Sequence, residues 1–161
     1  MDTSLFKERI YPCIDSMYRV ALALCGNSAD AEDAVQEACL KLWERKASLD
    51  SVANIRAYAI GSARNAALDI IASRKHPLQA EEVLQLADDA DTAADFERRE
   101  KVDIISRLAQ NLPEKMRTVL VMRDFEGCEY DEIERTTGLS AGNIRVLLSR
   151  ARTAIRKHFT S

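Results

Sequence analysis

The chain is short of the residues that most active-site chemistry and most β structure require. Only two histidines occur, His76 and His158, far from each other and from the four cysteines. Those cysteines, Cys13, Cys25, Cys39 and Cys128, form no C-x-x-C pair. Zinc-ligand spacing is therefore missing, and a disulfide framework is not expected in a chain without a secretory signal. Buried free thiols in a reducing compartment are the expectation. Five Gly and three Pro in 161 residues, with 6% aromatics, argue against a turn-rich β fold and favour helix. Neither G-x-x-x-x-G-K-S/T nor G-x-G-x-x-G occurs, so no phosphate-cradling glycine loop is expected. No catalytic constellation can be assembled, and the chain is expected to be no enzyme and to need no cofactor and no metal. The acids Asp30, Glu32 and Asp33 open a helix, where dipole complementarity explains them better than a cation would. No run approaches 18 apolar residues, which excludes a helical membrane span. The start, MDTSLFKERI, has no apolar run preceded by basic charge, so no secretion signal is expected and a cytoplasmic protein is.

What the chain does have is 47% apolar residues, enough for a core, and a net charge of −3 that hides an asymmetry. Residues 1–75 balance to zero, residues 76–97 carry seven acids and no Lys or Arg, and residues 98–161 have a net charge of +4. The basic end is masked by an acidic middle. The stretch Glu129–His158, EYDEIERTTGLSAGNIRVLLSRARTAIRKH, carries the basic excess, and no acid follows Glu134. It reads as a short helix, a turn at Gly138–Leu139–Ser140 and a longer helix. Gly138 suits a positive φ and Ser140 suits the N-cap of the second helix. Ile144, Leu148, Ala151 and Ile155 fall on one face of that helix, leaving the cations on the others. The pattern is a helix-turn-helix with its second helix shaped for a major groove.

Upstream, residues 3–25 predict one or two amphipathic helices with Leu5, Ile10, Ile14, Met17, Val20, Ala21 and Leu24 inward. Gly26 and Asn27 stop them, and Ser28 is a possible cap for the next. Residues 29–45 predict a helix with Ala31, Val35, Ala38, Cys39 and Leu42 as its core stripe. A second stripe, Gln36, Leu40 and Trp43, mixes amide, aliphatic and indole. Two readings of it stay open: Trp43 packs under a neighbouring helix, or the stripe is a partner surface. Residues 46–54 read as a polar loop. Residues 55–74 return to helix, with Ile60, Ala63, Ala67 and Ile71 inward and Arg56, Arg64, Asn65 and Arg74 unable all to follow. Those donors after a flexible loop fit a single-stranded nucleic acid, or else a solvated face. The acidic stretch 76–97 reads as a linker, spanning about 25 Å as a flexible coil and at most roughly 70 Å extended. Residues 97–110 predict a helix, and Leu112–Pro113 opens another that ends at Glu126–Gly127. The expected fold is all-α: two small helical domains, 1–75 and 98–161, joined by the acidic linker 76–97, the second ending in the helix-turn-helix.

Two blocks together resemble the sigma-70 family of RNA polymerase sigma factors, in its small extracytoplasmic-function type. DAEDAVQEACLKLWER with NIRAYAIGSARNAALDIIASRK is similar to the family's second domain. LPEKMRTVLVMRDFEGCEYDEIERTTGLSAGNIRVLLSRARTAIRK is similar to its fourth. The resemblance implies a factor that binds core RNA polymerase and directs it to promoters, the first domain on the clamp and the −10 element, the second on the β flap and the −35 element. It places Asp33, Gln36, Glu37, Leu40 and Trp43 on the β′ clamp helices. It places Arg56, Arg64, Asn65, Asp69, Arg74 and Lys75 beside the melted −10 strand, after a base-capturing loop 46–54. It places Ser140, Asn143, Arg145, Val146, Ser149 and Arg150 at the −35 groove, with Arg152 on phosphate. Promoter DNA, core polymerase and a possible anti-sigma factor are the implied partners, with no insertion into a membrane. The chain departs from the family where a Lys-Ser-Arg triplet is common and Arg145–Val146–Leu147 stands instead. Leu147 cannot donate to guanine, which thins direct readout. Glu129 and Glu134 also depart, and Glu134 is expected to be partly exposed. The competing expectations are a stand-alone helix-turn-helix regulator with an N-terminal dimerisation or ligand module, and a helical adaptor that binds protein only.

Overall fold

The computed structural model describes residues 1–74 and 107–160, with side chains as far as His158. The expected acidic linker, Lys75 and most of the helix expected over 97–110 lie outside those residues. The fold is all-α, with two helical regions; the described residues contain no strand.

In the first region, α1 (Thr3–Ile10) is capped by Asp2, whose carboxylate accepts from the Leu5 amide at 2.8 Å. A 3-10 turn, Tyr11–Cys13, leads into α2 (Ile14–Cys25). Gly26 closes α2 in the left-handed region at φ +83°, its amide donating to the Leu22 carbonyl. The cap of α3 (Ser28–Glu44) is Asn27, whose side chain accepts from the Asp30 amide at 2.9 Å, so the expected Ser28 cap is corrected by one residue. Gly26 and Asn27 thus supply one stop and one start, which lets α2 fold back against α3 without a longer loop. The expected loop 46–54 contains a 3-10 helix, Lys46–Ser51, pinned by the fully buried Leu49. One apolar residue carries no periodicity, which is why the pattern did not announce it. Asn54 then caps α4 (Ile55–Ser73) through the Ala57 amide at 3.0 Å.

The second region begins with the helical residues 107–110 and then α5 (Glu114–Leu120), which follows Pro113 as expected. α5 runs on through a π-helical turn, Val121–Phe125, and ends at Glu126 and Gly127, the latter at φ +69°. α6 (Tyr130–Thr137) starts with Glu132 reaching back to the Glu129 amide at 3.3 Å and ends at Gly138, φ +76°. α7 (Ala141–Thr160) is capped by the Ser140 hydroxyl, which accepts from the Asn143 amide at 3.2 Å. The turn chemistry of Glu129–His158 is therefore as expected. Glu134 is half-buried, in keeping with its expected partial exposure.

The core does not divide at the middle of the chain. Met17, Val20, Leu24, Ala38, Leu42, Ile60 and Ala63 of the first region belong to one apolar cluster with Val119, Met122, Ile133, Ile144 and Leu148 of the second. The second region adds only a small cluster of its own, Leu112, Leu120 and Ala151. α5 and its π turn pack on α2, and α6 packs on α4. The last contact is close: a Cβ added to Gly61 would meet Thr136 Oγ1 at 2.9 Å. Among the described residues no helix is long and apolar enough to cross a membrane. The expectation of a cytoplasmic protein is corrected to that narrower statement, because the absence of a span says nothing further about location.

Candidate functional site

Three surfaces carry the residues singled out from the sequence. The first is the outer face of α3. Burial of Ala31, Ala34, Ala38 and Leu42 turns Asp33, Gln36, Glu37 and Leu40 to solvent. Leu40 is 58% exposed. Trp43 is shared between the two readings of its stripe. Its ring meets Phe6 edge-on at 5.1 Å, Lys46 Nζ lies 3.5 Å over its face, and 36% of the residue remains exposed. The pair leaves an uncovered apolar patch beside carboxylates, on a helix held by its other face. Asp33 and Glu37 also line a shallow groove with Asp69, Ile70 and Ser73 of α4.

The second surface is α4, where the structure separates the predicted nucleic-acid residues into unlike groups. Asn65 and Asp69 are exposed. Arg74 ties the end of α4 to the α2–α3 corner, donating to Asp30 (Nε at 3.0 Å) and to the Cys25 carbonyl at 2.8 Å. Arg56 and Arg64 face the second region. Arg64 donates to the Thr136 carbonyl at 3.3 Å and to Asn65 Oδ1 at 2.9 Å, while its buried Nε has no hydrogen-bond partner. Burial lowers the pKa of its guanidinium, an effect countered in part by Glu114. Arg56 donates to Glu126 at 2.8 Å and to Ser16 Oγ at 3.3 Å. Arg19 of α2 reaches the same carboxylate through Nε at 2.7 Å and Nη2 at 3.1 Å. The hydrogen bond to Glu126 raises the pKa of Arg19. Asn54 adds a further inter-region bond, to Glu132 at 2.8 Å.

Arg19, Ser16 and Glu126 were not singled out from the sequence, although Glu126 left a trace. It caps the C-terminal end of a helix, where the backbone dipole disfavours an acid. A local misfit of that kind marks a side chain held by a distant partner. Arg117 is a similar omission. It donates to the Leu24 carbonyl of α2 at 3.0 Å and to the carbonyls of Ala109, Gln110 and Leu112, bracing the start of the second region against the first.

The third surface is α7. Ile144, Leu148 and Ala151 are buried, so Asn143, Arg145, Val146, Ser149 and Arg150 stand exposed. Val146 is 47% exposed, a methyl-bearing side chain among donors. Leu147 packs against the core instead. The departure at Arg145–Val146–Leu147 thus leaves Arg145 and Val146 outward and takes Leu147 off the groove face. The Tyr130 ring carries Arg123 at 4.8 Å and Arg145 at 5.4 Å, which steadies the Arg145 guanidinium at the exposed start of α7. Arg152 is held by Asp124 at 2.7 and 2.6 Å. The exposed face can place fork-shaped and amide donors, and one apolar contact, against base edges.

All four cysteines are free thiols. Burial pushes Cys25 and Cys128 each up to about 11, so both stay protonated near neutrality. The described residues hold no cluster of His, Cys, Asp and Glu suited to a metal ion.

Comparison with known proteins gives two family matches. Residues 13–76 match sigma-70 region 2, and residues 103–155 match sigma-70, region 4. Together they take in well over half of the chain. Over 154 residues the chain is 31% identical to a probable RNA polymerase sigma factor, RfaY, of Xanthomonas campestris pv. campestris, covering 89% of this chain and 38% of that protein. It is 29% identical over 152 residues to the ECF RNA polymerase sigma factor SigE of Mycolicibacterium smegmatis, covering 89% of this chain and 57% of the relative. The chain thus spans less than two thirds of either relative. A shorter relative, the RNA polymerase sigma-E factor of Streptomyces avermitilis, is 28% identical over 160 residues and is covered to 86%. Among solved structures, the sigma factor RpoE of Bartonella quintana, in complex with the anti-sigma factor NepR, shares the fold. Its TM-score is 0.72 over 94% of each chain, at 18% identity. The extracytoplasmic function sigma factor SigJ of Mycobacterium tuberculosis gives 0.55 at 26% identity, over 96% of this chain and 53% of that one.

Proposed function

The chain belongs to the sigma-70 family of RNA polymerase sigma factors, in its extracytoplasmic-function group, and from that premise we propose that it binds core RNA polymerase and directs it to specific promoters. In this reading residues 1–75 form the domain that docks on the clamp and opens the −10 element. Residues 98–161 form the domain that reads the −35 element and meets the β flap, and 76–97 joins the two. The polymerase supplies the chemistry, and this chain supplies docking, base capture and position.

The observation that carries the reading is the presence of both family regions, in order, on one chain whose α3 and α7 keep distinct outward faces. Leu40 and Trp43, with Asp33, Gln36 and Glu37, would dock on the polymerase. Asn143, Arg145, Val146, Ser149 and Arg150 would face the upstream duplex, with Ser140 at the helix start and Arg152 on phosphate. Arg56, Arg64, Asn65, Asp69, Arg74 and Lys75 would lie along the melted strand. Arg64 is half-buried against the second region and Arg56, though exposed, is engaged by Glu126, so freeing both donors for a melted strand requires the two regions to part. An anti-sigma protein that holds the closed form is a further partner of the same reading. A stand-alone regulator would leave the exposed Leu40–Trp43 pair without a role.

Run-off transcription sequencing with purified core polymerase tests the proposal. Specific transcripts from a defined promoter set are expected, together with retention of the chain on core polymerase. Absence of both refutes it.

A further inference from the structure

Glu126 occupies a site that the first region builds without it. Its side chain is 1% exposed, although it comes from the other half of the chain. Its carboxylate takes three hydrogen bonds, from Arg19 Nε at 2.7 Å, Arg19 Nη2 at 3.1 Å and Arg56 Nη2 at 2.8 Å. Both guanidiniums also bond the Ser16 hydroxyl, at 3.0 and 3.3 Å. Two cations therefore converge from α2 and α4 on one point, with a hydroxyl between them whose proton is free to turn outward. Neither arginine has a second carboxylate in ion-pair range among the described residues. Without Glu126 the site would be two converging positive charges, with only the more distant Asp15 acting on Arg19.

We propose that Arg19, Arg56 and Ser16 form a binding site for a backbone phosphate of the promoter DNA strand, filled in the closed chain by the Glu126 carboxylate as an internal stand-in. Fork-shaped guanidinium donors suit a carboxylate and a phosphate alike, and a phosphate offers more acceptor oxygens to them. The site lies at the start of α4. Arg64 follows eight residues on, roughly 12 Å along the helix. A strand running along α4 would thus meet Arg56 first and Arg64 and Asn65 after it. Because Glu126 belongs to the second region, one event both releases Arg64 from the Thr136 carbonyl and vacates the phosphate site, and DNA and closure compete for Arg19 and Arg56.

The inference rests on the reading of α4 as the strand-facing helix, and its test is arranged to separate the two. Binding of a labelled 12-nucleotide single strand of mixed sequence by the full chain is measured by fluorescence anisotropy across a salt series. Glu126→Gln is expected to tighten binding about tenfold, by raising the open fraction that can bind. Arg19→Ala added to Glu126→Gln is expected to abolish that gain and to reduce the salt slope by about 0.7 for the lost phosphate. Unchanged affinity in Glu126→Gln, or an unchanged slope in the double variant, overturns the proposal. If Glu126→Gln does not fold, Arg19→Ala is assayed alone, bound to core polymerase, on a promoter fork. A weaker complex with the shallower slope is expected, and equal binding with equal slope overturns the proposal. Retention on core polymerase is scored in the same preparations: its loss in the unaltered chain counts against the sigma-factor reading, whereas the oligonucleotide results bear on the site alone.

Discussion

The two regions are built to different standards of independence. The first has long helices, α2, α3 and α4, whose Met17, Val20, Leu24, Leu42 and Ile60 are essentially without exposure. Caps are complete at Asp2, Asn27 and Asn54, and Arg74 ties the last helix back to the first corner. The second has the short α5 and α6 and one long helix, and its private cluster is three residues. Its larger apolar residues, Met122, Ile133, Ile144 and Leu148, sit in the cluster it shares with the first. The lesson is that the second region leans on the first. The second region can be released only at the cost of exposing the apolar residues it shares with the first. Burial per side chain of this kind contributes about 1.5–3 kcal/mol, so a few shared residues suffice for a contact that holds in the free chain and yields to a polymerase-sized interface.

The comparison can be broken most severely at the buried carboxylate. Replacing both Arg19 and Arg56 with alanine leaves Glu126 buried without a counter-charge, a loss of about 3–5 kcal/mol. The regions are expected to part, seen as a larger radius by small-angle scattering with the first region's helix content retained. Next comes Met122→Ala. It is expected to cost about 2–5 kcal/mol in chemical denaturation, and to raise amide exchange in α5–α7 far more than in α2–α4. Gly61→Leu acts at the α4–α6 contact, where even a Cβ meets Thr136. Overpacking there is expected to cost about 1–3 kcal/mol and to open the contact, and Thr136→Ala is expected to recover part of it. Arg152→Ala removes an ion pair confined to the second region and mostly exposed. Its effect on melting is expected to be below about 1 kcal/mol, while its effect on duplex binding tracks salt.

Cysteine chemistry reads the same comparison without a mutation. Cys25 lies in the first region and Cys128 in the second, and burial holds each at about 11. A thiol pKa raised in the folded state contributes stability below its unfolded value near 8.5, and that contribution is lost as pH rises toward 11. Unfolding free energy is therefore expected to decline above about pH 8.5–9. At pH 8, alkylation is expected to reach Cys128 before Cys25, since Cys128 is freed when the second region opens. The reverse order would argue that the first region is the looser one.

Much of each region was legible from local signals. Gly138, Ser140 and the Ile144–Leu148–Ala151 stripe are local in sequence, and all three kept their expected roles. The Asn27 cap was placed one residue late because Asn and Ser both cap well and only the backbone angles decide between them. The joint between the regions was not legible. Arg19 and Arg56 stand 107 and 70 residues from Glu126, and no periodicity links charges at that separation. Arg56 and Arg64 could be read as outward-facing cations, but not as cations bonded to the other half of the chain. Only the misplaced acid at a helix end hinted at the contact.

The central claim is that the two regions are closed in the free chain and part when the chain takes up its work on polymerase. It is tested most directly by energy transfer between a donor at Glu44 and an acceptor at Thr153, both exposed and introduced as unnatural amino acids. High transfer in the free chain, falling on addition of core polymerase and a promoter fork, is the expected result. Transfer unchanged in a complex that transcribes would contradict the account.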